Sequence, residues 1–135
     1  MAKGPRIWLG IGGIVMAVAV ALDAWYAHGL RHRLEESAYA MFGTGLQQHY
    51  RIALGMLVVG LLRHRAPKLH LQLTGWMFLA ALLGFSGTLY ARSFGAPEAL
   101  GQAAPIGGSL HILAWLSLGI AGLRAAPDRY SHRRS

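Results

Sequence analysis

The chain has 135 residues, of which 54% are hydrophobic and only 13% charged, with a formal net charge of +8 and no Cys. That charged fraction cannot coat a soluble domain, the apolar content excludes a disordered chain, and the lack of Cys excludes disulfide scaffolds and thiolate-ligated zinc or iron–sulfur centres. The bases lie between apolar runs rather than on a polar scaffold, which argues against nucleic acid as a partner and for one membrane domain over residues 1–135.

Four runs approach the length of about 20 residues that crosses a hydrocarbon core of about 30 Å. The first covers residues 7–27, interrupted only by Asp23 near its end. Lys3 and Arg6 ahead of it, with Ala17, Ala19 and Ala21 inside it, also suit a cleavable signal peptide. The run is long for a signal core, so it is expected to be retained. Residues 31–40 (RHRLEESAYA) contain no Gly or Pro and place Arg31 four residues before Glu35, which predicts a short interfacial helix.

The uninterrupted part of the second run, 52–62, is too short to span; extended back through Tyr50, His49, Gln48, Gln47 and Leu46 it covers 43–62. The third run is 69–91 and the fourth 106–123. Between them, Gly95, Pro97, Gly101 and Pro105 predict an irregular loop, with Pro105 placed to start the last helix. In lipid the backbone must satisfy itself, and none of the runs alternates as a barrel strand would. The expected fold is an all-α integral membrane bundle of four transmembrane helices.

Lys and Arg set the orientation. Lys3, Arg6, Arg63, Arg65, Lys68, Arg124, Arg129, Arg133 and Arg134 fall on one side, and Arg31, Arg33, Arg51 and Arg92 on the other. Both termini are therefore expected in the cytoplasm, making the chain a multi-pass protein of the cell inner (plasma) membrane. Arg63, Arg65, Lys68 and the Arg-rich tail, with His64, His70 and His132 beside them, are expected to meet anionic headgroups. Gly13, Ala17 and Ala21 in the first span, and Ala80, Gly84 and Thr88 in the third, recur at intervals that suit close helix packing. A shift of 64 residues aligns Tyr26-Ala27 with Tyr90-Ala91 and Leu54-Gly55 with Leu118-Gly119, a pattern that two parallel helical hairpins would leave.

Polar side chains inside spans are costly, so their placement is informative. Asp23, Tyr26, His28, Gln48, His49, Arg51, Tyr90 and His111 all fall in or beside the outer half, and the inner half holds little beyond Gln72 and Thr74. Asp23 and Arg51 are the only charges at depth, which predicts an ion pair. The cluster allows three uses: a hydrogen-bonded network that sets helix register, a ligand or proton site open to the outside, or a haem held by His49 and His111. His28 and His32 would share a helix face but have no third ligand, so no metal is expected.

Residues 22–30 (LDAWYAHGL), 85–90 (FSGTLY) and 105–108 (PIGG), with Trp115, resemble the motifs of the domain of unknown function 423 family. That family includes bacterial YgdD-like inner-membrane proteins and eukaryotic transmembrane protein 256. The resemblance implies four helices and no established activity. Asp23 and Tyr26 stand where the family usually has Gly, His111 and Ala114 replace its usual Phe and Gly, and Arg51 takes the place of a His. No activated Ser or Cys and no metal motif is present, so no enzymatic activity and no cofactor are expected. Two functions stay open: an accessory subunit packed against a larger membrane protein complex, or an oligomeric transporter or ligand-binding protein that uses the polar cluster.

Overall fold

The computed structural model describes residues 3–63 and 65–125, with side chains throughout except at 3–5, 68 and 69. Helix α1 (Lys3–His28) leads through a 3₁₀ turn (Leu30–His32) into α2 (Glu36–Leu62). Helix α3 (Lys68–Ala81) passes without a break into a π segment (Leu82–Gly87) and then α4 (Thr88–Ser93), so the three form one rod. A 3₁₀ segment (Glu98–Gln102) precedes α5 (Ala103–Leu123). No strand occurs among the described residues.

Local chemistry accounts for the boundaries and for two departures. The separate interfacial helix expected over 31–40 does not form. Its second half belongs to α2, which starts with Glu36 in its first turn, where a carboxylate complements the helix dipole. Arg31 lies in the 3₁₀ turn, outside any helix shared with Glu35, so the expected i,i+4 pairing has no frame. Pro105 falls in the first turn of α5 as expected, and Gly95, at φ +96°, turns the chain after α4. The π segment was not foreseen. It widens one turn of the rod by a residue, and Gly84 and Gly87 reduce the cost of leaving α geometry.

Helix α2 is the centre of the bundle. It packs along α1 on one side and against α3, the π segment, α4 and α5 on the other, while α5 packs along α3 and the π segment. Trp8, Ile52, Met56, Val59, Leu71, Phe78, Ala114 and Leu118 form the core where these elements meet. The closest approach joins Gly107 of α5 to Gly84 of the π segment. A Cβ on Gly107 would stand 2.5 Å from the Phe85 amide nitrogen, so the two backbones touch.

The small-residue reading of α1 is corrected by these contacts. Gly13, Ala17 and Ala21 are exposed, and nothing lies within 4 Å of a Cβ on Gly13. The buried face is one position around the helix and carries Gly12 against Leu57 of α2, Ala19, and Trp8, whose indole reaches Gly75 and Gln72 of α3. On the third rod Ala80 is exposed, whereas Gly84 and Thr88 do face neighbours.

The outer surface is apolar. Ile14 is 68% exposed, Leu83 67% and Ile112 65%, a surface suited to lipid and not to water. Three stretches among the described residues, Arg6–His32, His70–Ser93 and Glu98–Leu123, are long and apolar enough to cross a membrane. Helix α2 has the length, with 27 residues, but carries Gln47, Gln48, His49 and Arg51.

Candidate functional site

The polar residues of the outer half resolve into separate groups. His49, buried on α2, ties three helices together. Its Nε2 lies 2.9 Å from the Val15 carbonyl oxygen of α1, and its Nδ1 lies 2.9 Å from the Tyr90 hydroxyl of α4. A carbonyl only accepts, so Nε2 carries the proton and Nδ1 accepts from Tyr90. Both ring nitrogens are engaged. One turn towards the start of α2, the Gly45 carbonyl accepts the buried Ser86 hydroxyl of the π segment at 2.7 Å.

Asp23 belongs to a second group. Its carboxylate accepts the Tyr50 hydroxyl at 2.8 Å and, among the described residues, makes no ion pair with Arg51. The expected Asp23–Arg51 pair is therefore corrected. Residues 50 and 51 point about 100° apart on a helix, and side chains lean towards the helix N-terminus. Tyr50 faces α1 and reaches back to the level of Asp23, whereas Arg51 is exposed.

His111 is elsewhere again. Buried on α5, its Nε2 accepts the Trp115 indole N–H at 3.0 Å, and Phe78 of α3 sits edge-on to both rings, at 6.2 Å from His111 and 5.3 Å from Trp115. An imidazole that accepts at Nε2 bears its proton on Nδ1. In this arrangement both nitrogens of His49, and Nε2 of His111, are engaged by protein groups and not turned to a common ligand.

An aromatic cluster covers the outer end. Tyr26 stacks on Tyr39 at 4.1 Å and on Phe42 at 5.8 Å, Phe42 meets Tyr90 at 4.6 Å, and Trp25 stacks on Phe94 at 5.7 Å. His28 ends α1 and His32 lies in the 3₁₀ turn, both exposed and on different elements, so they share no helix face. Gln48 is half-buried. No group of three metal-ligating side chains occurs among the described residues.

Two sets of polar contacts at the other end went unforeseen. His70 Nε2 lies 2.8 Å from the Ser117 hydroxyl and 2.9 Å from its carbonyl oxygen, and Thr74 binds both the His70 carbonyl and the Ser117 hydroxyl. The Trp8 indole donates to Gln72 at 3.0 Å. His70 thus packs α3 against α5. The single Ser in the apolar 106–123 run below His111 was the available signal. Arg63 is half-buried and Arg65 and Arg124 exposed at this end, while the Lys68 side chain, His64, His132, Arg129, Arg133 and Arg134 lie outside the described residues.

A polar stripe on the outside of the bundle was also missed. On α2, Thr44, Gln47 and Arg51 are all exposed, three or four residues apart, in line with exposed Leu54. The stripe lies in the half of α2 that the sequence places within the membrane.

The family profile described as "Protein of unknown function (DUF423)" matches residues 22–108. The chain is 32% identical over 120 residues to the UPF0382 membrane protein YwdK of Bacillus subtilis, covering 88% of this chain and 98% of that one. It is 37% identical over 107 residues to a UPF0382 membrane protein of Haemophilus influenzae, covering 78% and 85%. A UPF0382 membrane protein of Staphylococcus epidermidis is 31% identical over 121 residues, covering 90% and 98%. No solved structure matches. The three recognised motifs now have physical roles: Tyr26 and Trp25 build the outer aromatic cluster, Ser86 and Tyr90 bind α2, and Gly107 seats α5 on Gly84.

Proposed function

This chain belongs to the DUF423 family, and we propose that it is a non-enzymatic accessory subunit that packs against a larger membrane protein complex through the outward face of α2. The exposed stripe of Thr44, Gln47 and Arg51 carries the reading. A guanidinium facing hydrocarbon is costly, and a partner helix that presents a carboxylate or carboxamide removes that cost. The buried histidines support the non-enzymatic side, because the nitrogens that would accept a proton, Nδ1 of His49 and Nε2 of His111, already accept hydrogen bonds.

In this reading α2 is the fourth span. Its other polar groups face neighbouring helices rather than lipid: His49 meets α1 and α4, and Tyr50 meets Asp23. That nine of the 13 Lys and Arg fall on one side supports both termini in the cytoplasm of a chain held in the inner (plasma) membrane. Arg63 and Arg65 then face anionic headgroups.

A second reading, an oligomeric transporter or ligand-binding protein, draws on a cavity of about 550 Å³ at the outer end, where Arg92 and Glu98 offer both signs of charge and Gln102 a carboxamide. Purification from native membranes in a mild detergent, for the natural chain and for Arg51→Leu, separates the two. A stoichiometric larger membrane protein that is lost from the variant is the expected result. A homo-oligomer that retains a small molecule and is indifferent to the substitution would overturn the accessory role.

A further inference from the structure

A groove of about 480 Å³ runs between α3 and α5, beside the end of the bundle where α1 begins and α5 ends, lined by Pro67, His70, Leu73, Met77, Ser117 and Arg124. Its lining changes character along its length. Arg124 and Pro67 stand at the mouth, where α5 ends and α3 begins. One turn deeper, the bonded pair His70 and Ser117 forms a polar shelf. Leu73 and Met77 continue as an apolar wall, and Met77 lies about 15 Å from Pro67 at 1.5 Å per residue.

Among the described residues the charges at this end have one sign. Asp23, Glu35, Glu36 and Glu98, the acids among the described residues, all lie towards the opposite end, whereas Arg63 and exposed Arg124 lie here. A zwitterionic headgroup would find no carboxylate for its ammonium among the described residues. An anionic headgroup finds a guanidinium, which binds phosphate through charge-assisted hydrogen bonds.

We propose that this groove binds one anionic glycerophospholipid of the adjacent leaflet, its phosphate at Arg124 and an acyl chain along Leu73 and Met77. The site uses α3 and α5 and is independent of the accessory role assigned to the face of α2.

The test uses the purified full-length chain in a non-ionic detergent, read by native mass spectrometry and by thermal midpoint. Dioleoyl-phosphatidylglycerol, dioleoyl-phosphatidylcholine and glycerol 3-phosphate are added in parallel. One phosphatidylglycerol per chain is expected to be retained and to raise the midpoint, with the other two additions without effect. Arg124→Gln should weaken retention about fivefold, the scale of one base at an anionic surface. Arg124→Lys should keep most of it, and Arg33→Gln at the far end all of it. Leu73→Trp, which fills the wall from an exposed position, should lower retention without moving the midpoint in the absence of lipid. Retention of phosphatidylglycerol by Arg124→Gln at the natural level, or equal binding of phosphatidylcholine, would overturn the proposal. A glycerol 3-phosphate effect equal to that of the lipid would replace it with a simple anion site.

Discussion

Replacing Asp23 by Ala and Tyr50 by Phe, singly and together, measures the contact that stands where an ion pair was expected. The Tyr50 hydroxyl donates to the Asp23 carboxylate at 2.8 Å, and both side chains are half-buried. Hydrogen bonds to a charged group contribute about 1.5–3 kcal/mol, and partial exposure puts this one near the lower end. Tyr50→Phe should therefore cost about 1.5 kcal/mol, because the carboxylate loses its donor. Asp23→Ala should cost a similar amount, and the double variant should fall short of the sum by about 1 kcal/mol. The matching cycle of Asp23→Ala with Arg51→Gln should be additive within about 0.5 kcal/mol, since the two groups do not meet. Unfolding in mixed micelles by titration with sodium dodecyl sulfate, followed by circular dichroism, supplies the four free energies of each cycle. Additivity for Asp23 with Tyr50, together with coupling for Asp23 with Arg51, would refute the assignment.

Gly107→Ala should destabilise by about 1–3 kcal/mol, because its Cβ would force α5 away from the π segment, whereas Gly13→Ala has open space and should be neutral or mildly stabilising; thermal midpoints in detergent distinguish the two. His49→Leu removes two hydrogen bonds that join three helices and should cost about 2–3 kcal/mol, with Tyr90→Phe costing about 1 kcal/mol in the same assay. Ser117→Ala should cost about 1–2 kcal/mol, and pairing it with Thr74→Val should show coupling, because both side chains share one small network.

Apolar run length placed the rods well, since lipid leaves a hydrophobic segment little choice but helix. What it did not carry was the rotation of each rod. Gly13, Ala17 and Ala21 form as regular a stripe as the real α1 face, and only the register of Gly12 against Leu57 tells them apart. The same limit explains Arg51: depth along the chain puts it level with Asp23, but the 100° step from residue 50 to 51 decides which of them meets α1. The π segment left no mark on hydropathy, because a turn one residue wider is as apolar as an α turn. Of the candidate site, the His49–Tyr90 contact joins two residues that were singled out for their depth alone. The His70–Ser117–Thr74 group was overlooked because His70 reads as one more basic residue near a span end, and Ser in a span is unremarkable until its neighbour is known.

Site-specific photocrosslinking in native membranes tests the accessory role most directly. A photoreactive residue at Gln47, on the exposed stripe of α2, is compared with one at Gly13, on the exposed apolar face of α1. The expected outcome is a discrete adduct with one larger membrane protein from position 47, absent from position 13 and lost when Arg51→Leu is added. Adducts with lipid alone, or with a second copy of this chain alone, at position 47 would contradict it.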